Sequence, residues 1–212
     1  MSADGLTGSD ADGHLMEHVV RREKLLEGRF LQVVRDTVRL PDGGESYREY
    51  ILHPGAVTIV PLLDDGRVVL ERQYRHPVER VMIEFPAGKI NAGEDPLVCA
   101  RRELLEETGY TAREWAHAGI LHPCIGYADE SIGIWFARGL SQGSRQLDEG
   151  EFLDVITATP AQLLDWCRQG QVTDGKTLTC ALWLQNVLSG DWVLDWQAQS
   201  GSRCAPTSAH AV

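Results

Sequence analysis

Apolar and polar residues alternate near the start of the chain in the pattern of β-strands. Residues 30–40 are rich in β-branched side chains, and residues 47–52 resume the same pattern. The turn-forming residues 41–44 (PDGG) separate the two runs. We therefore predict a hairpin over residues 30–52.

A continuous apolar run at residues 56–63 is typical of a strand that is covered on both faces. The turn signal at residues 64–67 follows it, and residues 68–74 again have strand character. The spacing predicts that residues 68–74 pair back onto the apolar run as a second hairpin. A further short strand is predicted at residues 82–85.

A helix is predicted after the loop at residues 86–94, because its start and stop signals are both present. Asp95 is suited to the N-cap and Pro96 to the first helical position, so the helix should run from Leu97 to about Thr108. Gly109 is expected to end it.

Short strands and helices follow each other in the rest of the chain. Strand character recurs around residues 116–121, 131–140 and 154–157, and helices are predicted over residues 160–168 and 176–188. A mixed sheet between helices, with strands added at the N-terminus, is the expected α/β architecture.

The composition suits one domain with short tails. The chain has 212 residues, 43% of them hydrophobic, which is enough for one core. Its formal net charge of −11 disfavours general binding to nucleic acid or to anionic membranes. The five cysteines form no CxxC pair, and no signal segment or membrane-length apolar run is found, so we expect a cytoplasmic protein.

Changes in composition divide the chain into four predicted segments. The Gly-, Ser- and Asp-rich start and the small polar end are expected to be disordered tails. The expected segments are a tail at 1–15, a β extension at 16–55, the main domain at 56–196 and a tail at 197–212.

Three glutamates share one face of the helix predicted after Asp95. Glu106 and Glu107 lie three and four residues after Glu103, and like charges at this spacing cost a helix about 0.2–0.5 kcal/mol per pair. A cation among them would reverse that sign, and clustered carboxylates suit Mg²⁺ or Mn²⁺ and not zinc. The alternative is a solvated acidic face.

The surroundings of these glutamates resemble the Nudix box. Residues 88–110 read GKINAGEDPLVCARRELLEETGY, and only the last box position departs, where Tyr110 replaces an aliphatic residue. The matching residues are Gly88, Glu94, Arg102, Glu103, Leu104, Glu106, Glu107 and Gly109. The resemblance implies a Nudix α/β/α sandwich with an N-terminal β-strand extension, and a metal-dependent hydrolase that cuts the pyrophosphate bond of a nucleoside diphosphate linked to another group.

The same resemblance implies roles for individual residues. Glu94 would brace the loop, and Arg102 would hold the glutamates in orientation. Glu106 and Arg102 count among the catalytic residues. The implied ligands of Mg²⁺ or Mn²⁺ are the Ala87 carbonyl, Glu103, Glu106, Glu107 and Glu151.

A base must take a proton from the attacking water. Nudix enzymes that act on ADP-ribose commonly supply it from a late loop, and the matching stretch here contains Glu149 and Glu151. The choice between these two stays open, with Glu130 as the next candidate. The alternative for each of them is an ordinary surface acid.

Features outside the box resemble the ADP-ribose pyrophosphatase branch of the family. Residues 72–75 (RQYR) resemble its strand-end motif, which implies that Arg75 contacts a substrate phosphate or ribose; the alternative is a salt bridge with Glu79. In that branch the N-terminal strands usually exchange across a homodimer, and their aromatic residues hold adenine; core packing is the alternative for each aromatic residue. The implied substrate-binding residues are Arg48, Arg75, Glu84, Phe30, Tyr47 and Glu130.

The resemblance favours hydrolysis of ADP-ribose to AMP and ribose 5-phosphate. ADP-ribose hydrolases often have Pro-Gly after the box, whereas Ile125 precedes Gly126 here. Another nucleotide sugar such as GDP-mannose is therefore the alternative substrate. An alternative of another class is a non-catalytic nucleotide-sensing Nudix module, which the intact glutamates disfavour.

Overall fold

The computed structural model describes residues 12–147 and 150–198, which form two compact units. One unit comprises the described residues up to Gly55 together with His122–Ile132. The other comprises Ala56–Leu121 and the described residues from Gly133 onwards. The segment at 122–132 thus belongs with the N-terminal strands, although the sequence suggested no such separation from the main domain.

The N-terminal unit is built on an antiparallel sheet of three strands in the order β1-β2-β3. The strands are β1 (His18–Glu27), β2 (Gln32–Arg39) and β3 (Glu45–Leu52). The predicted hairpin of β2 and β3 is confirmed, and the turn between them is closed by the Leu40 amide, which donates to the Gly44 carbonyl at 2.8 Å. All ten residues of β1 are exposed, so no apolar alternation marks this strand.

A buried carboxylate ties the three strands of this sheet together. Asp36 on β2 accepts two hydrogen bonds of 2.8 Å from Arg22 on β1 and one of 2.9 Å from the Tyr50 hydroxyl on β3. The hydrogen bonds from Arg22 hold the pKa of Asp36 below its usual value. A buried charge is tolerated here because it is paired and hydrogen-bonded.

The second unit contains two sheets. A five-stranded sheet has the order β11-β8-β9-β4-β7, and a three-stranded sheet has the order β10-β5-β6. The strands of the larger sheet are β4 (Ala56–Pro61), β7 (Ala87–Lys89), β8 (Tyr110–Leu121), β9 (Ile132–Gln142) and β11 (Gln197–Ala198). Those of the smaller sheet are β5 (Val68–Arg75), β6 (Arg80–Glu84) and β10 (Leu153–Ala158).

The second predicted hairpin is wrong. β4 and β5 belong to different sheets, and only an isolated bridge between Leu62 and Val68 joins them. The turn itself is present, with the Leu63 amide donating to the Arg67 carbonyl at 2.9 Å. Because β9 and β7 occupy the two edges of β4, no edge is left for β5.

All three predicted helices are confirmed: α1 (Pro96–Thr108), α2 (Pro160–Arg168) and α3 (Gly175–Ser189). The Asp95 carboxylate caps α1 by accepting from the amides of Leu97 at 2.9 Å and Val98 at 3.2 Å. Gly109 ends α1 at a φ of 76°, a left-handed conformation that favours glycine.

The helices cover both faces of the larger sheet. Every residue of β4 is buried, as the apolar run predicted, and its side chains alternate between two cores. Val57 and Ile59 pack in one core with Leu104 of α1, whereas Val60 packs in the other with Leu184 of α3. The expected α/β/α sandwich is therefore confirmed.

Two parts of the expected tails have regular structure. Gly13–Leu15 form a single 3-10 turn, and Gln197–Ala198 pair with Trp115 and Glu114 of β8. Residues 1–11 and 199–212 lie outside the described residues. No helix in the described part of the chain has the length and apolarity needed to cross a membrane.

Candidate active site

β7 passes so close to α1 that a side chain at position 88 would collide with Glu103 where that carboxylate now lies. A Cβ on Gly88 would lie 2.0 Å from Cδ and from Oε1 of Glu103. Gly88 lies on β7, where it pairs with Val57 of β4. The absent side chain therefore gives the carboxylate of Glu103 its place against the backbone of β7.

Arg102 holds three of the box glutamates at once. Its Nε and Nη2 donate to the two oxygens of Glu94 at 2.9 and 3.0 Å, and its Nη1 donates to Glu103 at 2.6 Å and to Glu106 at 3.0 Å. The hydrogen bond from Arg102 lowers the pKa of Glu94 to about 2. Glu94 therefore stays charged and anchors the arginine, which in turn orients Glu103 and Glu106.

Glu107 faces the interior of the second unit from the same helix. Its side chain is buried, and its Oε2 accepts a hydrogen bond of 3.0 Å from the Ala87 amide. Burial raises the pKa of Glu107 well above its ordinary value, and the charges of Glu71 and Glu103 raise it further. A carboxylate in this setting needs either a proton or a cation to be stable.

Glu71, on β5, is a member of this cluster that the sequence did not indicate. It is 0% exposed, and neither of its carboxylate oxygens has a hydrogen-bond partner among the described residues. It lies directly opposite Glu84 on the neighbouring strand β6. Burial, and then the charge of Glu84, raise the pKa of Glu71.

Glu84 differs from Glu71 because two cations neutralise it. Arg75 donates to its two oxygens at 2.7 and 3.0 Å, and Lys176 forms an ion pair with it. Burial alone would raise the pKa of Glu84, but the hydrogen bond from Arg75 and the charge of Lys176 bring it below its usual value. The alternative partner for Arg75, Glu79, is therefore wrong, and Glu84 orients two basic side chains.

Lys176 is a second residue of this site that the sequence did not predict. It lies in the first turn of α3, where it contacts Asp174 at 3.0 Å as well as Glu84. A lysine at a helix start gives no pattern that would distinguish it from a solvated residue.

Glu151 lies in the loop before β10, next to the carboxylates described above. Its Oε1 accepts a hydrogen bond of 3.2 Å from Gln73 Nε2, while Gln73 Oε1 is buried without a partner among the described residues. The charge of Glu151 contributes to raising the pKa of Glu103 and of Glu107. The other candidate base, Glu149, lies outside the described residues.

The donor set suits a hard divalent cation. Carboxylate oxygens are the ligands that Mg²⁺ and Mn²⁺ prefer, and two buried oxygens of Glu71 have no hydrogen-bond partner among the described residues. Among the described residues no three acidic, His or Cys side chains are already arranged to enclose one ion. Glu103 and Glu106 are instead directed to Arg102.

The other predicted substrate residues lie in the N-terminal unit. Phe30 is 61% exposed and Tyr47 64% exposed, so packing in the core of their own unit does not account for either side chain. Arg48 Nη1 donates to the Tyr47 carbonyl at 2.9 Å. Glu130 is half-buried, with a carboxylate oxygen 3.6 Å from Nε2 of His53.

Comparisons with known proteins identify the families and relatives that this chain resembles. The NUDIX domain family matches residues 52–179, more than half of the chain, and the nucleoside diphosphate sugar hydrolase N-terminal domain matches residues 17–51. The ADP-ribose pyrophosphatase of Bacillus subtilis is 37% identical over 173 residues, covering 81% of this chain and 94% of that protein. The methanol dehydrogenase activator of Bacillus methanolicus is 39% identical over 173 residues, covering 80% and 92%.

A solved structure shares the fold. The crystal structure of an ADP compounds hydrolase superimposes with a TM-score of 0.75 at 24% identity, over 82% of this chain and 95% of that one.

Proposed function

Because the chain belongs to the Nudix hydrolase family, we propose that it hydrolyses ADP-ribose to AMP and ribose 5-phosphate with Mg²⁺ or Mn²⁺ as cofactor. The observation that carries the proposal is the buried cluster of carboxylates around Glu107, in which neither oxygen of Glu71 has a hydrogen-bond partner among the described residues, because such a cluster suits a divalent cation. Relatives named ADP-ribose pyrophosphatase support the choice of substrate.

The reaction explains why such a cluster is useful. A pyrophosphate is inert to attack because its negative oxygens repel a nucleophile. Divalent cations, when bound, supply the charge that neutralises these oxygens and acidifies the attacking water. In this proposal Glu103, Glu106 and Glu107 hold the cations, with the Ala87 carbonyl as a further ligand, and Arg102 keeps Glu103 and Glu106 in position.

Glu151 is the residue that we propose as the base. Its carboxylate takes the proton from the water that attacks phosphorus, and Gln73 fixes its orientation through the hydrogen bond to Oε1. Its charge acts on both Glu103 and Glu107, which supports a position beside the proposed cations. Glu149 remains the alternative from the same loop.

Arg75 is the proposed contact to a substrate phosphate. Nε and Nη2 bind Glu84, which leaves the N–H groups of Nη1 for a ligand, and the side chain is 39% exposed. A planar guanidinium fixed on one edge can present its other edge to phosphate oxygens. Glu84 acts in this proposal by positioning Arg75.

We also propose that Phe30, Tyr47 and Arg48 contact the adenine of the substrate in a homodimer. Two large aromatic side chains that leave more than half of their surface exposed suit contact with a base or with a second chain. Glu130 stays a candidate substrate contact from the same unit.

Product analysis tests the proposal. The purified protein is incubated with Mg²⁺ and, separately, with ADP-ribose, GDP-mannose, NADH and diadenosine polyphosphates, and products are separated by ion-exchange chromatography. We expect AMP from ADP-ribose to form fastest, and Glu106→Gln to remove this activity. Faster release of GMP from GDP-mannose would identify GDP-mannose as the better substrate. Tight binding of ADP-ribose without turnover would favour a non-catalytic nucleotide-sensing module.

A further inference from the structure

Alternate residues of β5 face the cluster of carboxylates. Glu71, Gln73 and Arg75 are two residues apart and therefore lie on one face of the smaller sheet. Arg75 is bound to Glu84 and Gln73 is bound to Glu151. Glu71 is fully buried, and its carboxylate has no hydrogen-bond partner among the described residues.

Three buried oxygens on this face of β5 accept no hydrogen bond from the described residues. They are both oxygens of Glu71 and Oε1 of Gln73. Buried polar atoms are normally satisfied, and a buried carboxylate without a cation or donor is among the costliest arrangements in a protein. Since all three atoms are acceptors, the missing group must be a cation or a hydrated cation, or a set of donors.

The basic side chains near Glu71 are already committed to other acids. Arg75 uses two nitrogens on Glu84, and Lys176 contacts both Glu84 and Asp174. Glu71 lies opposite Glu84, and its charge also acts on Glu107 of α1. Burial and the charge of Glu84 keep the pKa of Glu71 raised, although Arg75 and Lys176 lower it. Glu71 is therefore neutralised either by a proton or by a cation that the protein binds.

We propose that Glu71 is a direct ligand of a divalent cation that it shares with Glu107. Gln73 Oε1 accepts a hydrogen bond from the hydration water of that ion. Two carboxylates supply a charge of −2, which matches one divalent ion, and Mg²⁺ characteristically keeps several waters beside one or two carboxylates. The inference rests on the proposed metal-dependent function and adds to it a ligand from β5, outside the box.

Mn²⁺ binding measured without substrate tests this ligand. The loss of the free Mn²⁺ signal in electron paramagnetic resonance gives the number and affinity of sites for wild type, Glu71→Gln and the matched control Glu114→Gln. Glu114 lies on β8 and is paired with Arg138 of β9, so its variant should bind Mn²⁺ like wild type. We expect Glu71→Gln to lose one site or to weaken it about 10- to 100-fold, whereas the same number and affinity of sites within twofold would overturn the proposal.

Thermal unfolding with and without Mn²⁺ separates a ligand from a structural residue. Removing an unpaired buried charge should leave the metal-free Glu71→Gln protein at least as stable as wild type, with a smaller rise in Tm on adding Mn²⁺. Glu71→Leu, which removes the polar atoms altogether, should behave in the same way. A metal-free Tm below that of wild type in both variants, with an unchanged response to Mn²⁺, would instead assign Glu71 a protonated structural role.

The proposed hydrolysis of ADP-ribose and the proposed ligand role of Glu71 can each be refuted without refuting the other. If wild type binds Mn²⁺ and Glu71→Gln loses a site, Glu71 is a ligand even when ADP-ribose is not the substrate. If wild type hydrolyses ADP-ribose and Glu71→Gln keeps every site, the function stands and the ligand does not.

Discussion

Replacing Gly88 with alanine should inactivate the protein while preserving its fold. A Cβ at this position would lie 2.0 Å from Cδ and Oε1 of Glu103 and 2.4 Å from Oε2, whereas ordinary contacts begin near 3.4 Å. The carboxylate must therefore move by about 1.4 Å. Because the obstructing atoms are the end of a flexible side chain, an altered rotamer relieves the contact at a cost of about 0.5–1.5 kcal/mol in stability.

The effect on catalysis should be larger than the effect on stability. A displacement of about 1 Å in a group that positions reactants can lower a rate about 100-fold. That factor corresponds to about 2.7 kcal/mol in the activation free energy. Glu103 would also leave the hydrogen bond from Arg102, which holds it at 2.6 Å in the wild-type site.

Thermal unfolding and kcat/KM for ADP-ribose, measured on the same preparations, check this prediction. Gly175→Ala is the matched control, because a Cβ there meets nothing within 4 Å and the change lies at the start of a helix. We expect the control to match wild type in both measurements. A Gly88→Ala protein with wild-type kcat/KM would refute the placement of Glu103 against the backbone of β7.

Three further predictions concern the charges of the site. Glu106→Gln and Glu107→Gln should each fold normally, by circular dichroism, and lower kcat by orders of magnitude, because each removes a proposed cation ligand; wild-type turnover would contradict the assignment. Burial raises the pKa of Glu71 and Glu107, so the stability that they contribute is complete below the unfolded carboxyl pKa of about 4.3 and is lost as pH rises through the raised folded values. The Tm of metal-free protein should therefore fall from about pH 5 to pH 8, and fall less in Glu71→Gln; an equal fall in both would refute the reasoning. Arg75→Lys should raise KM for ADP-ribose about tenfold with a smaller change in kcat, because lysine cannot bind Glu84 through two parallel N–H groups and still face a phosphate; steady-state kinetics decide this, and an unchanged KM would remove Arg75 from the substrate contacts.

The parts of the fold that the sequence predicted are those with local signals. Asp95 and Gly109 mark both ends of α1 within the helix itself, and the box residues between them lie at fixed spacing. The turn after β4 is equally local and was predicted correctly, whereas the predicted pairing of β5 with β4 was wrong. That pairing depends on β7 and β9, which occupy the edges of β4 and come from later in the chain.

The local sequence pattern could not identify Glu71 as a site residue, because the segments that bury it are distant in the sequence. In the sequence it follows Leu70 and precedes Arg72, which is the usual appearance of a strand that leaves the core. β6, β10 and α1 enclose it, and only the folded chain places Glu107 beside it. β1 lies inside the β extension predicted at residues 16–55, but it was not predicted as a separate strand, since a strand exposed along its whole length has no apolar face to produce alternation.

We expect Arg102 to make the proposed cation site selective among ions. In the absence of metal its guanidinium acts as an internal competitor, since it occupies oxygens of Glu103 and Glu106. An incoming ion must bind Glu103 and Glu106 more strongly than Arg102 does. The ion pair with Glu94 would keep the displaced arginine next to the site. A monovalent ion offers no more charge than the guanidinium that it would replace, so sodium and potassium at cellular concentrations should leave the arginine in place, whereas a divalent ion should exchange with it.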